Sequence, residues 1–167
     1  MADTPQTGGA PAVDQTGNLT IWFLTALANA NSPKVSDLSA ATATRVTFDF
    51  VPGGWALAED QEIKKDDRLT IPQAAESLGQ SSASLELEYV DSVSALSAKA
   101  KLTEGVSGWF VERRNVPQTN VATVGDSVRV IPVTLGRQRP TAPDGDGKFT
   151  IKQKAALGVI GAAIALA

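Results

Sequence analysis

Two glutamates on one strand face are the side chains of this sequence whose type and spacing come closest to a catalytic pair. Glu86 and Glu88 alternate with apolar residues in the segment 84–90, so a β-strand there places both carboxylates on its polar face. Such pairs serve as general acid and base when a pocket perturbs one of the two pKa values. The surrounding sequence indicates neither a partner base nor a pocket, which favours a solvated strand face.

The composition removes most other kinds of catalytic site. The chain of 167 residues contains no His and no Cys. Cys–His and Ser–His–Asp nucleophiles and the usual zinc ligands are therefore excluded. The run Asp-Gly-Asp-Gly at 144–147 is similar to the start of a calcium loop, but Ala155 stands where the closing Glu belongs. We expect no catalytic residue, no cofactor and no metal.

Charge is distributed unevenly along the chain. The formal net charge is −3, yet acidic residues dominate positions 1–91 and basic residues dominate positions 92–167. Two unlike surfaces favour a protein that associates head-to-tail with copies of itself, although solvated faces without a partner explain the same asymmetry. The pair Arg113-Arg114 has no aromatic stacking pattern beside it, so a nucleic-acid-reading face is not indicated.

The elements that position these side chains are predicted to be mainly β-strands in one domain over residues 18–155. Residues 1–17 are polar and lack the features of a secretory signal, which predicts a flexible arm. Residues 156–167 form an apolar tail that is shorter than the ~20 residues of a membrane helix. We expect this tail to pack on a neighbouring surface or to stay loose, with a membrane tail as the alternative.

Strand and helix patterns follow in a definite order. The segment 92–102 is the best helix candidate, because apolar residues recur at helical spacing after Ser92. Pro132 cannot donate a ladder hydrogen bond, so the strand that contains it is predicted to be an edge strand or to bulge. Strands are predicted over 45–51, 84–90, 107–114, 127–135 and 148–154, and over 18–28, where a helix is the alternative.

Residues 53–82 show no sustained period and are interpreted as a long, ordered interaction loop. Loops of this length inside a compact domain are usually functional or disordered. The segment is mixed in charge, and it holds apolar side chains that a disordered linker does not need. These side chains are Trp55, Leu57, Ile63 and Leu69.

Five phrases of the sequence, in this order, carry a resemblance to a known family. They are VTFDFVPGGWALAED (46–60), DDRLT (66–70), LELEYV (85–90), LTEGVSGWFVERRNV (102–116) and GDSVRVIPVTLGRQ (125–138). They resemble the tail tube, or major tail, proteins of long-tailed bacteriophages of actinobacteria. The resemblance covers about residues 18–155, and the C-terminal run of Ala and Gly departs from it.

The resemblance implies a β-sandwich or barrel of the tail tube type with one flanking α-helix. It also implies hexameric rings that stack into a hollow tube, through which DNA passes into the host without specific binding. The tube would assemble in the host cytoplasm around a tape-measure protein, with help from tail assembly chaperones, and would belong to the virion. The resemblance implies no cofactor, and no membrane for the tube itself. Two alternatives remain open: another phage structural protein (capsid decoration or head–tail connector) and a monomeric β-sandwich binding or adhesion module.

Within this interpretation, three groups of residues receive roles. Carboxylates on polar strand faces would line the lumen and repel the phosphate backbone of DNA; they are Asp49, Glu86 and Glu88. The loop would join one ring to the next through Trp55, Leu57, Ile63 and Leu69. Trp55 is the expected main anchor, and the alternative is that it caps the core of its own subunit. Pro132 would limit uncontrolled pairing at a sheet edge.

Overall fold

A computed structural model describes residues 12–66, 75–143 and 147–167 of the chain. Within these ranges the helices are short: α1 (Val35–Leu38), α2 (Ala98–Lys101) and a 3-10 turn (Thr47–Asp49). The strands are β1 (Leu19–Leu24), β2 (Ala43–Arg45), β3 (Phe50–Asp66), β4 (Ala75–Val90), β5 (Ser107–Arg114), β6 (Ser127–Leu135), β7 (Arg139–Pro140), β8 (Thr150–Leu157) and β9 (Ile164–Ala165). These strands of the described ranges form one antiparallel sheet, in the order β2-β1-β5-β6-β8-β4-β3, with β7 beside β8 and β9 beside β6.

Strand β8 joins the two halves of the sheet, because it pairs with β4 on one side and with β6 on the other. Its residue Ala155 pairs with Leu85 of β4 on one side and with Leu135 of β6 on the other. The edge strand β3 consequently returns to the other half of the sheet, where the rings of Trp55 and Phe110 lie 5.0 Å apart. The two halves enclose a core, and the mainly β, sandwich-like fold expected from the sequence is confirmed.

Apolar side chains fill the space between the two halves and also cover one outer face. The inner core combines residues of β1, β4, β5, β6 and β8: Ile21, Phe23, Leu85, Leu87, Tyr89, Phe110, Ile131, Val133, Leu135 and Ile151. A second cluster lies on the outer face of β1, β5 and β6 and includes Trp22, Leu24, Val111, Val128, Val130, Leu38 and Leu166. Because β1 is buried on both faces, its sequence shows a continuous apolar run instead of alternation.

The predicted strand over 45–51 is wrong in its middle. Strand β2 ends at Arg45, the 3-10 turn follows, and β3 begins only at Phe50. The alternation that suggested a strand is broken by burial, since Val46 is buried and Phe48 is 71% exposed. Asp49 therefore lies in a turn and not on a strand face, and its Oδ2 accepts a hydrogen bond from the backbone N–H of Ala98.

The predicted helix over 92–102 is much shorter than expected. Only Ala98–Lys101 is helical, and its N-cap is Ser97, whose side chain accepts from the N–H of Ala100. Ser92 and Ser94 instead use their hydroxyls to accept hydrogen bonds from the backbone N–H groups of Ser94 and Leu96. Serine side chains that bond to nearby backbone groups compete with helix formation, and here they hold residues 92–97 in a turn.

The predicted interaction loop over 53–82 is wrong as a loop, because most of it belongs to the long hairpin of β3 and β4. The two strands pair from Phe50–Tyr89 outward to Asp66–Ala75, with a register irregularity between Phe50 and Trp55. Gly54 makes that irregularity possible, since a Cβ at this position would lie 2.0 Å from the backbone oxygen of Glu88.

The apolar C-terminal segment is bound to its own domain by backbone hydrogen bonds and apolar packing. Leu166 is 2% exposed in the second cluster, and its N–H donates to the carbonyl of Asp126. The N–H of Ala167 donates to the carbonyl of Pro33. Residues 156 and 157 already form the end of β8. The tail set apart at 156–167 therefore packs against the body of the sandwich. Of the arm set apart at 1–17, only residues 12–17 are described.

Candidate functional site

The outer part of the β3–β4 hairpin extends beyond the sandwich. Over residues 58–66 and 75–84, every residue is exposed except the half-buried Gly79. The two strands stay paired along this length, with an irregularity between Gln61 and Ile63. A strand rises ~3.4 Å per residue, which makes the outer hairpin about 27 Å long. An isolated two-stranded ribbon is marginally stable in water, and its length favours a function in contact with another molecule.

An apolar pair lies on this outer hairpin. Ile63 and Leu78 are opposite each other in the register of the two strands and are 58% and 73% exposed. Of the residues predicted to join neighbouring rings, Ile63 thus lies on the projecting part, while Leu69 falls outside the described residues. Leu78 was not predicted, because a lone leucine in a Ser- and Gly-rich segment forms no periodic pattern.

Trp55 and Leu57 belong to the inner part of the hairpin and pack against the core of their own chain. The indole of Trp55 makes edge contacts with Phe110 and Phe50 at centroid distances of 5.0 and 5.7 Å. Its Nε1 donates to Glu112 Oε1 at 3.0 Å. The alternative interpretation, in which Trp55 caps its own core, describes this position.

Charged residues close the end of the sandwich from which the hairpin leaves. Glu112 is 2% exposed, and its Oε1 accepts from Arg114 at 2.8 Å, while its Oε2 has no hydrogen-bond partner within the described part of the chain. Beside it, Arg129 donates to the carboxylate of Glu59 in β3 and to the carbonyl of Gly161. Arg129 thereby ties the start of the outer hairpin to β6 and to the C-terminal segment.

A second arginine on the other face of β5 is fully buried. Arg113 is 0% exposed and donates to Asp126 Oδ2 and to the carbonyl of Asn120, both at 2.8 Å. Its guanidinium carbon also lies 5.4 Å from the ring centre of Trp22. The hydrogen bond from Arg113 holds the pKa of the Asp126 carboxyl below its usual range. The Arg113–Asp126 pair holds the connection between β5 and β6 in place. It was not predicted from the sequence.

Glu86 and Glu88 lie on the polar outer face of β4, as the alternation predicts, but each faces a lysine of β8. Lys154 Nζ lies 2.8 Å from Glu86 Oε1, and Lys152 Nζ lies 3.5 Å from Glu88 Oε2. Thr150 also donates to Glu88 at 2.9 Å. The hydrogen bond and charge of Lys154 lower the pKa of Glu86.

The surroundings of this polar face are basic. Arg137 and Arg139 line the same open groove of about 540 Å³ as the two glutamates and their lysines. The face is therefore not the negative wall that was expected of it. Asp49 does not share it, since its carboxylate binds the N–H of Ala98 at the start of α2.

Pro132 lies inside the sheet. Strand β6 pairs with β5 on one side and with β8 and β9 on the other, so the prediction of an edge strand is wrong. The ladder with β8 ends at Val133, and the ladder with β9 begins at Val128. Pro132 falls in the interval between them, where its carbonyl accepts from the N–H of Gly158 at 2.9 Å. The missing N–H is thus placed where the partner strand changes.

The described surface offers ion pairs and apolar contacts. Among the residues at 12–66, 75–143 and 147–167, no cluster of three or more carboxylates is arranged to hold a metal ion. In the same part of the chain, no helix has the length and apolar character needed to span a membrane.

Comparisons with known proteins point in one direction. A family model described as phage tail tube protein matches residues 9–158. Among solved structures, the chain is similar to one from the cryo-EM structure of the anti-feeding prophage (AFP) baseplate, 6-fold symmetrised. That similarity has a TM-score of 0.58 at 10% sequence identity and covers 94% of this chain and 97% of the other. No curated protein matches the sequence.

Proposed function

The chain belongs to the phage tail tube protein family and is a structural subunit of a phage tail, and from this premise we propose that its copies form hexameric rings that stack into a tube. The tube is the conduit for DNA ejection into the host. It assembles in the host cytoplasm around a tape-measure protein, with tail assembly chaperones, and the host is an actinobacterium infected by a long-tailed phage.

Six copies per ring is the number favoured by the fold neighbour. That neighbour belongs to a baseplate described as 6-fold symmetrised, and it matches this chain over nearly its full length. A curved antiparallel sheet with an exposed edge strand suits such a ring, because neighbouring subunits can continue the sheet. Strand β3 provides that edge, since it is the last strand in the order of the sheet.

The observation that carries the proposal is the exposed outer hairpin. Its residues lie outside the core while the strands that bear them remain regularly paired. A monomeric protein gains little from such a ribbon, whereas a subunit of a polymer gains a contact with the next copy. We assign the junction between rings to this outer hairpin, with Ile63 and Leu78 as its apolar contacts, and not to Trp55.

The experiment is assembly of a hairpin-deletion variant. Residues 62–80 are replaced by Asn-Gly, which joins Gln61 to Ser81, its register partner, through a two-residue turn. The wild-type protein should form tubes in negative-stain images. The variant should keep its thermal unfolding temperature within a few degrees, because the described residues that it removes, 62–66 and 75–80, are exposed apart from the half-buried Gly79, and should form no tubes. Tubes of normal length from the variant would refute the role of the hairpin.

The lumen assignment of Glu86 and Glu88 remains a proposal with a changed physical reason. Glu86 and Glu88 neutralise Lys154 and Lys152, so these ion pairs, and not a net negative wall, would limit how many cations of this basic groove are free to bind phosphates. A Glu86→Lys, Glu88→Lys variant should then slow DNA ejection at low salt, because four unpaired lysine charges would face DNA. Normal ejection at low salt would show that this face is not in the lumen.

A further inference from the structure

The end of the sandwich opposite the hairpin carries a second group of exposed apolar side chains. Val93 and Leu96 follow the end of β4 and are 102% and 75% exposed. Phe149 precedes β8 and is 67% exposed. Its carbonyl accepts from the N–H of Asp91 at 2.7 Å, which brings the chain before β8 beside the turn that holds the two aliphatic residues. We name Val93, Leu96 and Phe149 the base surface.

The helix next to the base surface is anchored by glutamine side chains. Gln153 donates to the carbonyls of Leu102 and Gly136 at 2.9 and 2.7 Å and accepts from the hydroxyl of Tyr89 at 3.0 Å. Gln138 donates to the carbonyl of Leu102 as well, at 3.0 Å. This network holds the C-terminal end of α2 against the strands, and α2 directly follows the turn that bears Val93 and Leu96.

The hairpin end and the base surface point in opposite directions along the same strand. Leu78 and Val90 both belong to β4, and at ~3.3 Å per residue the segment between them spans about 40 Å. The hairpin continues away from the core at one end, and Val93 and Leu96 lie just beyond the other. Two different apolar surfaces at opposite ends of one subunit are what a head-to-tail contact requires.

The acidic charge of the outer hairpin complements two lysines beside the base surface. On the described outer hairpin, acidic residues outnumber basic ones, with Glu59, Asp60, Glu62, Asp66 and Glu76 against Lys64 and Lys65. Around the base surface the charges are balanced in number, with Lys99, Lys101 and Lys148 against Asp49, Asp91 and Glu104. Within the described ranges, Lys101 and Lys148 form no ion pair, whereas Lys99 pairs with Asp91. Such complementarity fixes the orientation of two partners more than it adds affinity.

We propose that the base surface is the receptor for the outer hairpin of a second copy of this chain, in the next ring of the tube. Leu78 and Ile63 of one copy contact Val93, Leu96 and Phe149 of the other, and the acidic hairpin lies near Lys101 and Lys148. This contact rests on the proposed function, and it makes every ring-to-ring junction point the same way. The tube therefore has one face that only donates hairpins and one face that only receives them.

Mixing two blocked variants tests this polarity. Leu78→Asp leaves a ring with a damaged hairpin and an intact base, and Val93→Asp leaves the reverse. Both positions are exposed, so both variants should unfold at the wild-type temperature. Each variant alone should stop at single rings. The mixture should form double rings, twice the mass of single rings by mass photometry, and nothing longer, because only one junction per pair is intact.

The outcomes separate this proposal from the proposed function. If the wild-type protein forms neither rings nor tubes, the proposed function itself fails. If wild-type tubes form but the mixture stays as single rings, or Val93→Asp still forms tubes, only the base surface is refuted. Val159→Asp is the matched control, because Val159 is 94% exposed but lies beside Gly158, which bonds to the middle of β6; it should form tubes.

A cross-link gives a second readout if a charged variant fails to form rings. The chain contains no Cys, so a Leu78→Cys, Val93→Cys variant has only the two introduced thiols. Oxidation of its tubes should give a ladder of linked chains on a non-reducing gel. A Leu78→Cys, Val159→Cys variant should give none. Tubes of the first variant that remain unlinked would refute the contact.

Discussion

Strand β4 contains leucines in two opposite environments. Leu87 is 1% exposed and lies in the inner core, whereas Leu78, on the same strand, is 73% exposed. The two belong to one hairpin, whose strands stay paired between them apart from one register irregularity at Gln61–Ile63. The inner half of the hairpin packs against its own domain, whereas the outer half is exposed beyond the ion pair between Glu59 and Arg129 at its start. The difference shows that one pair of strands serves two tasks, fold stability within the chain and contact between chains.

The largest effect is expected from a matched pair of truncations. Leu87→Ala should lower the free energy of unfolding by about 3 kcal/mol, through lost burial and the cavity left behind. Leu78→Ala should change it by less than about 0.5 kcal/mol. Urea unfolding of unassembled subunits measures both. Similar losses at the two positions would break the comparison, because they would mean that the outer hairpin also packs on its own subunit.

The same contrast between buried and exposed strand segments explains which strands could be predicted from the sequence. Strands 107–114 and 127–135 were predicted with the bounds of β5 and β6, because their composition is strongly β-favouring and turn residues flank them. The segment 84–90 was found for a similar reason, since Leu85, Leu87 and Tyr89 alternate toward one core. Period-2 alternation records burial of one face, and it is visible only where one face is buried.

The outer hairpin could not be found in this way. Both of its faces are exposed, so no alternation distinguishes one face from the other, and its pairing is set by continuation of the inner strands. Trp55 was correctly recognised as a side chain that needs burial, but the sequence could not tell burial in its own core from burial in a neighbour. Contacts distant in sequence, such as Trp55 with Glu112, decide that question.

Buried and exposed ion pairs extend the comparison from side-chain volume to charge. The Arg113–Asp126 pair belongs to the body of the sandwich, with side chains that are 0% and 17% exposed. Asp126→Asn should lower the free energy of unfolding by about 2 kcal/mol near pH 7, because a buried guanidinium loses its charged acceptor. Urea unfolding measures the loss. A loss within error would show that the backbone carbonyls bound by Arg113 suffice.

The pH dependence of this pair follows from the direction of its pKa. Arg113 lowers the pKa of Asp126 in the folded state, so the pair contributes its full stability above the unfolded pKa of about 3.9. As the pH falls from there through the folded pKa, the unfolded state binds the proton first and the contribution is lost. The gap between the wild type and Asp126→Asn should narrow below about pH 4. A gap that stays constant down to pH 2.5 would contradict this assignment.

The smallest effect is expected at the boundary between the two halves of the hairpin. Arg129 and Glu59 are 26% and 42% exposed, so water screens their attraction, and a double-mutant cycle with Arg129→Met and Glu59→Gln should give a coupling of about 0.5 kcal/mol. The more exposed pair Lys65–Glu76, at 63% and 56%, is the control further along the hairpin and should give a smaller coupling.

The Arg129 pair is expected to orient the outer hairpin more than to stabilise the fold, because Arg129 joins the first residues of the outer hairpin to β6 and to Gly161. Hydrogen exchange of unassembled subunits tests this. The Arg129→Met variant should lose amide protection in residues 58–66 while β5 and the rest of β6 keep theirs. Equal protection in the two proteins would mean that strand pairing alone sets the path of the hairpin.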